Sequence, residues 1–304
     1  MDLYQELCQI LGEENVYKDE PMNRHTTFRI GGPADYFVTP ENEEQVGAVI
    51  ALLKQENIPY YVMGNGSNLL VGDNGFRGVI LQIYRKMNEV CVEGDHIHAQ
   101  AGALLSMIAS RALAGSLTGF EFASGIPGTL GGALMMNAGA YGGEMKQVLV
   151  SARILTRDGS ICEMPVEEME LGYRTSIFAK NGDIVLSAVL KLEHGDADKI
   201  KAYMEELKEK RVTKQPLEYP SAGSTFKRPE GYFAGKLIQD AGLRGFRVGG
   251  AQVSEKHCGF VINKGNATAA DVCRLMADVQ AKVQEQFGVT LEPEVKFLGD
   301  FDRR

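Results

Sequence analysis

Residues 124–143 read SGIPGTLGGALMMNAGAYGG, seven glycines in twenty residues with no charged side chain. Backbone amides are therefore the main polar groups this stretch can offer a ligand. Glycine lacks the Cβ that blocks positive φ and close approach, so successive N–H groups can converge on an anion or on the polar edge of a flat ring. A shorter run of the same kind, Gly64-Asn65-Gly66-Ser67-Asn68, follows Tyr60-Tyr61-Val62-Met63, which reads as a short buried strand. Ile126-Pro127-Gly128-Thr129 reads as a helix opening, with Pro127 in the first turn, where its missing N–H costs no hydrogen bond. Helix starts bind phosphate through free N–H groups and the dipole. Glycine runs also make plain turns and packing corners, so that reading stands beside the ligand-binding one.

The familiar nucleotide fingerprints fail. From Gly64 the pattern is Gly-x-Gly-x-x-Leu without a third glycine, and Tyr84 stands where a dinucleotide fold needs an acid. Both departures argue against a Rossmann unit. No Gly-x-x-x-x-Gly-Lys-Ser/Thr occurs and neither loop contains lysine, which disfavours phosphoryl transfer. The ligand reads as held, not cleaved.

The 304 residues suffice for two or three cores, and 44% hydrophobic with 24% charged residues is a globular composition. A net charge of −8 without a local Lys/Arg cluster argues against a nucleic-acid surface and for a small-molecule partner. Five scattered cysteines, Cys8, Cys91, Cys162, Cys258 and Cys273, form no Cys-x-x-Cys pair and suit a reducing compartment. The N-terminal MDLYQELCQILGEENV has no basic leader region, and no apolar run approaches membrane-spanning length. The expectation is a cytoplasmic, monomeric protein without membrane insertion.

The element pattern is α+β. Thr39-Pro40-Glu41 reads as a helix start, with Val46, Val49, Ile50 and Leu53 on one face through Glu56. Strands follow at Tyr60–Met63, Gly78–Leu81, His96–Ala101, Val148–Thr156, Ile161–Met164 and Asp183–Leu192. A helix over Asp196–Arg211 carries Ile200, Tyr203, Met204 and Leu207 on one face and leads to Gln215-Pro216 and Tyr219-Pro220, read as a boundary. Helices near Gly231–Ala241 and Ala269–Phe287 follow; Thr268 and Asp271 resemble a capping box and Gly288 a stop for the second. The expected segments are 1–85, 86–214 and 215–304.

Conventional catalytic signatures are mostly absent: there is no Gly-x-Ser-x-Gly and no His-Glu-x-x-His. His96-x-His98 places two imidazoles on one strand face without a third ligand nearby, so no metal site is expected. Arg174, in Leu171-Gly172-Tyr173-Arg174-Thr175-Ser176, offers a planar fork that matches a carboxylate, though by itself it reads as a surface charge. Ser221–Pro229 reads as a hydroxyl-rich turn or cap, and Glu292-Pro293-Glu294-Val295 as a late apolar strand with exposed carboxylates.

Taken together, Thr27-Phe28-Arg29-Ile30-Gly31-Gly32, Gly64–Leu70, Gly125–Thr129 through Asn137–Gly142, Tyr173-Arg174, Ala222–Lys227 and Pro293-Glu294-Val295 resemble the UDP-N-acetylenolpyruvoylglucosamine reductases of the bacterial cell-wall pathway, in order and over nearly the whole chain. The resemblance implies a two-part FAD-binding unit of the vanillyl-alcohol-oxidase-like (PCMH-type) fold plus a C-terminal α/β substrate domain. It implies noncovalent FAD, because the first loop has no histidine to attach it. Implied cofactor-binding residues are Arg29, Gly64, Asn65, Gly66, Ser67, Asn68, Leu69, Ser124, Gly125, Ile126, Gly128, Thr129, Asn137 and Gly139. Only Glu193-His194-Gly195 separates the strand ending near Leu192 from the next helix, which looks like the short form without an extra tyrosine-bearing flap.

The activity so implied is peptidoglycan-precursor synthesis. The enolpyruvyl ether of UDP-N-acetylglucosamine receives a hydride at C3 from N5 of FAD that NADPH has reduced, then a proton at C2. Arg174 is implied to stabilise charge on the substrate carboxylate, Glu294 to hydrogen-bond it and Ser224 to deliver the proton, with Tyr141, Tyr173, Lys227 and Lys236 toward the diphosphate and sugar. Two rivals remain: a flavoenzyme of the same fold that oxidises a hydroxy acid or alcohol, and a nucleotide-binding protein without turnover.

Overall fold

The structure, a computed structural model, describes residues 2–301. They form two compact units that are discontinuous in sequence: the first takes the chain up to Tyr17, Tyr36–Asn65 and Val79–Arg211, the second Lys18–Asp35, Gly66–Gly78 and the chain from Val212 onward. The α+β reading describes both.

The first unit is built on a five-stranded antiparallel sheet in the order Ile161–Pro165, Leu149–Leu155, Ile184–Lys191, His96–Gln100, Val90–Glu93. Alternation sets its inner face: Ile97 and Ala99 are buried while His98 between them is exposed. His96 pairs with Asp95 at 2.6 Å and His98 lies 3.8 Å from Glu93, so both imidazoles face carboxylates at the sheet edge. Beside the sheet the helix Glu43–Gln55 buries Val46, Val49, Ile50 and Leu53. It starts later than Thr39-Pro40-Glu41 suggested, because Asn42 is the extended cap whose side chain accepts from Gln45 N at 2.9 Å. Tyr60–Met63 pairs in parallel with Val79–Gln82, and only Met63 of that strand is buried, not all four residues. The helix Ala197–Lys214 buries Ile200 and Leu207, but Tyr203 is 42% exposed, so its apolar stripe is narrower than the spacing suggested.

The second unit has a four-stranded antiparallel sheet in the order Ser221–Ser224, Phe260–Asn263, Ala251–Val253, Arg247–Val248. Ser221–Ser224, read from sequence as a turn or cap, is thus an edge strand. The helix Ala269–Phe287 packs on this sheet through Val272, Leu275, Met276, Val279 and Val283. Its N-terminus carries the expected capping box: Thr268 Oγ1 accepts from Asp271 N and Asp271 Oδ2 from Thr268 N, at 3.0 and 3.1 Å. Gly288 closes it in the left-handed region at φ 66°. Thr268→Ala is expected to cost about 1 kcal/mol, read as a lower urea midpoint at unchanged slope.

Segments 18–35 and 66–78 join this unit through long-range pairing. Leu69–Val71 runs parallel to Lys296–Leu298, Thr27 Oγ1 donates to Ser221 O at 2.7 Å, and Phe28, Ile30 and Leu70 enter the core with Val261 and Val295. The chain passes between units at Arg211 and Val212, inside the helix Ala197–Lys214.

Candidate active site

Within the first unit the two glycine loops are fastened to each other. Asn65 Nδ2 donates to Pro127 O at 2.9 Å, and a methyl at Gly64 would lie 2.1 Å from Thr129 Oγ1. Thr129 is the extended cap of a short helix, Leu130–Met135, so Pro127 precedes the helix and does not occupy its first turn. The loop is zipped onto the segment that follows the strand His96–Gln100 by Leu105 N to Gly128 O at 3.0 Å, Leu130 N to Ala103 O at 2.8 Å and Gly131 N to Ala101 O at 2.8 Å. At its start Ser124 Oγ donates to Glu121 O at 2.8 Å and Ile126 N to Ala123 O at 3.0 Å. Gly125 lies against the guanidinium of Arg211, where a methyl would come within 2.7 Å of Nη1. Burial lowers the Arg211 pKa, which Tyr141 partly offsets.

The same loop positions Arg174. Buried Asn137, at φ 45°, donates from Nδ2 to Glu144 Oε2 and to Gly172 O at 3.0 and 3.3 Å, while its Oδ1 accepts from Lys146 N at 2.9 Å. Gly139 is close-packed as well, a methyl there falling 2.5 Å from Gly143 O. Beyond the Gly172–Thr175 bridge, fully buried Ser176 donates from Oγ to Met135 O at 2.9 Å. Arg174 therefore sits on a turn tied down on both sides, at φ 55°, with its guanidinium 5.5 Å from the ring centre of Tyr173. A positive φ on arginine is strain that the surrounding bonds must hold. Arg174 is half-buried, not the surface charge its residue type suggests. Ser176 was missed in the sequence, although its place two residues after Arg174 was the available signal. Tyr173 and Tyr141 are 59% and 42% exposed.

Within the second unit, Gly66 O accepts from Thr27 N at 3.2 Å, and half-buried Ser67 leads through Asn68 to buried Leu69. Asn68 Nδ2 donates to Glu294 O at 3.1 Å, and Lys296 N donates to Asn68 O at 3.0 Å. Glu294 N in turn donates to Thr225 O at 2.8 Å, the residue after Ser224. Thr225 is fixed by Gly259 O, which accepts its N–H at 2.9 Å, and by Val261 N, which donates to Oγ1 at 2.9 Å. Ser224 and Glu294 are so brought to adjoining backbones that Asn68 links to the first glycine loop. Glu294 is only 8% exposed and precedes the strand Lys296–Leu298, which corrects the expected exposed strand carboxylate. Its neighbour by alternation, Glu292, is exposed and pairs with Lys227 at 3.1 Å. Lys236 pairs with Asp240. Arg29, at φ 55°, lines a cavity of about 590 Å³ with Asp73, Tyr219 and Lys264.

The donor set fits a noncovalently held dinucleotide: glycine backbone that approaches without Cβ, neutral side chains, no lysine and no histidine in either loop. Gly64→Ala is expected to yield protein with less than about a tenth of the wild-type flavin per chain, because the methyl must displace Thr129 and part the two loops. The flavin-to-protein absorbance ratio measures it.

Residues 34–165 match the family described as FAD binding domain, and residues 215–298 match UDP-N-acetylenolpyruvoylglucosamine reductase, C-terminal domain. The fold and the loops thus define an FAD-binding oxidoreductase. The chain is 54% identical over 299 residues to a UDP-N-acetylenolpyruvoylglucosamine reductase of Clostridioides difficile (strain 630), covering 98% of each chain. It is 56% identical over 303 residues to the protein of that name from Agathobacter rectalis, covering 96% of each. The crystal structure of the reductase (MurB) from Thermus caldophilus superposes with a TM-score of 0.80 at 35% identity, over 92% of this chain and 97% of that one. The chain belongs to the UDP-N-acetylenolpyruvoylglucosamine reductase family.

Proposed function

We propose that the protein reduces the enolpyruvyl ether of UDP-N-acetylglucosamine to UDP-N-acetylmuramate in the cytoplasm, with NADPH as reductant, as a monomer. The observation that carries this reading is the bond from Glu294 N to Thr225 O, which sets the buried carboxyl beside the residue following Ser224. Gly64, Asn65, Ser124, Gly125, Ile126, Gly128, Thr129 and Gly139 hold the FAD, with Gly66, Ser67, Asn68 and Leu69 continuing the first loop. Once bound and reduced, FAD supplies the hydride that adds to C3 of the substrate.

Addition at C3 builds negative charge at C2 and into the adjoining carboxylate. Arg174 meets that charge with two parallel N–H donors, held in place before the reaction begins. Glu294 hydrogen-bonds the same carboxylate. Ser224 Oγ–H delivers the proton to C2 and completes the lactyl ether. Serine is a weak acid in water, but a carbanion-like centre is a strong base, so position outweighs acidity. Tyr141, Tyr173, Lys227 and Lys236 take the sugar and diphosphate; the two lysines exchange Glu292 and Asp240 for phosphate oxygens. Residues 1–85 and 86–214 are the functional halves of the flavin unit, and 215–304 the substrate segment.

Anaerobic titration separates this reading from a hydroxy-acid oxidase of the same fold. Stoichiometric bleaching of the flavin by NADPH, with none by 2-hydroxy acids, supports the reductase; the reverse pattern overturns it.

A further inference from the structure

In the second unit, His257 belongs to the loop that joins the antiparallel strands Ala251–Val253 and Phe260–Asn263. The loop is fastened to itself: Ser254 Oγ accepts from Lys256 N and His257 N at 3.1 and 3.2 Å, and Phe260 N donates to His257 O at 3.0 Å. The imidazole is held as firmly. Its Nδ1 lies 3.1 Å from Gly259 N, and its ring stands edge-on to that of Phe260 with centres 5.0 Å apart. The helix Ala234–Asp240 comes up against the ring at Gly235, where a methyl would lie 3.3 Å from Cε1.

These contacts decide which nitrogen carries the proton. Gly259 N–H donates, so Nδ1 must accept and the hydrogen sits on Nε2. A ring turned over would set a carbon against that N–H, and an imidazolium would set donor against donor. Burial also pushes the His257 pKa down, away from the charged form. Nε2–H is therefore a fixed, neutral donor. It has no hydrogen-bond partner among the described residues, yet it is not shielded from solvent, so a ligand can reach it.

The neighbours of the ring place that donor beside the proton donor proposed above. Phe260 stands directly opposite Ser224, and directly opposed side chains share a face with Cβ atoms about 5 Å apart. Gly259, whose N–H orients the imidazole, accepts on its carbonyl from Thr225 N at 2.9 Å, the residue after Ser224. We propose that His257 donates Nε2–H to an oxygen of the enolpyruvyl group while that group lies against Ser224. An imidazolium there would be a rival acid; a ring fixed in the neutral tautomer binds the group and leaves protonation to Ser224. This inference rests on the substrate class and the Ser224 role proposed above and adds to them a substrate-binding residue.

Two substitutions separate this role from a structural one. In His257→Asn the amide oxygen stands where Nδ1 does and can accept from Gly259 N, but the side chain is too short to present a donor at the Nε2 position. In His257→Gln the amide reaches that position and gives up the Gly259 bond. Calorimetry on the oxidised, FAD-loaded protein measures binding of the enolpyruvyl ether and of UDP-N-acetylglucosamine, which lacks the enolpyruvyl group. His257→Asn is expected to weaken the ether by about 10- to 100-fold and UDP-N-acetylglucosamine by less than about twofold, whereas His257→Gln keeps both within about fivefold of wild type. Unchanged affinity for the ether in His257→Asn, equal losses for the two ligands, or a loss in His257→Gln as large as that in His257→Asn overturns the role of His257 and leaves the substrate class standing. Wild type that does not bind the ether overturns the substrate class itself.

Discussion

Ser224→Ala is expected to leave anaerobic bleaching of the flavin by NADPH within about twofold of wild type while slowing substrate-driven return of the oxidised spectrum by about 10²- to 10⁴-fold, the range for a lost general acid. The asymmetry follows from where the residue sits. Ser224 ends an edge strand whose next residue, Thr225, is held by Gly259, Val261 and Glu294 through its backbone and Oγ1, none of which needs the Ser224 hydroxyl. Removing one oxygen from a half-buried position leaves that frame intact. Rapid-mixing absorbance of the two half-reactions measures the effect. Equal losses in both would remove Ser224 from the proton-transfer step and mark it as a structural residue.

Arg174→Lys is expected to lower the same half-reaction by about 10²- to 10³-fold, comparable with the loss of a preorganised donor at a developing charge. Lysine keeps the positive charge but replaces a planar fork with a compact ammonium that cannot bond both carboxylate oxygens in one plane. The backbone is not a confounding factor, since both side chains meet the same penalty at φ 55°. Flavin content should stay at the wild-type ratio, because Asn137 and Ser176 fasten the turn through Gly172 O and Met135 O, independently of the Arg174 side chain. Single-turnover reoxidation is the measurement, and near-normal turnover would refute the carboxylate clamp.

The parts of this fold that were legible in the sequence are local. The helix Ala269–Phe287 declared both ends, since Thr268, Asp271 and Gly288 act within one turn of them, and of the apolar stripe its spacing gives, Val272, Leu275, Met276, Val279 and Val283 are buried while Phe287 is 38% exposed. The glycine loops declared themselves by composition, and the resemblance ordered them along the chain. Alternation did not say which of Glu292 and Glu294 is buried, because both lie before the strand that begins at Lys296; the bond to Thr225 decides it. Membership of Leu69–Val71 in the second unit was hidden for a different reason. Its partner strand, Lys296–Leu298, lies more than two hundred residues along the chain, and no local propensity encodes such a pairing.

The central claim is tested most directly by reducing the flavin-loaded protein anaerobically with one equivalent of NADPH and then adding the enolpyruvyl ether of UDP-N-acetylglucosamine. The account expects the oxidised flavin spectrum to return with one equivalent of UDP-N-acetylmuramate formed. Flavin that is reduced by NADPH but stays reduced in the presence of that substrate would contradict it.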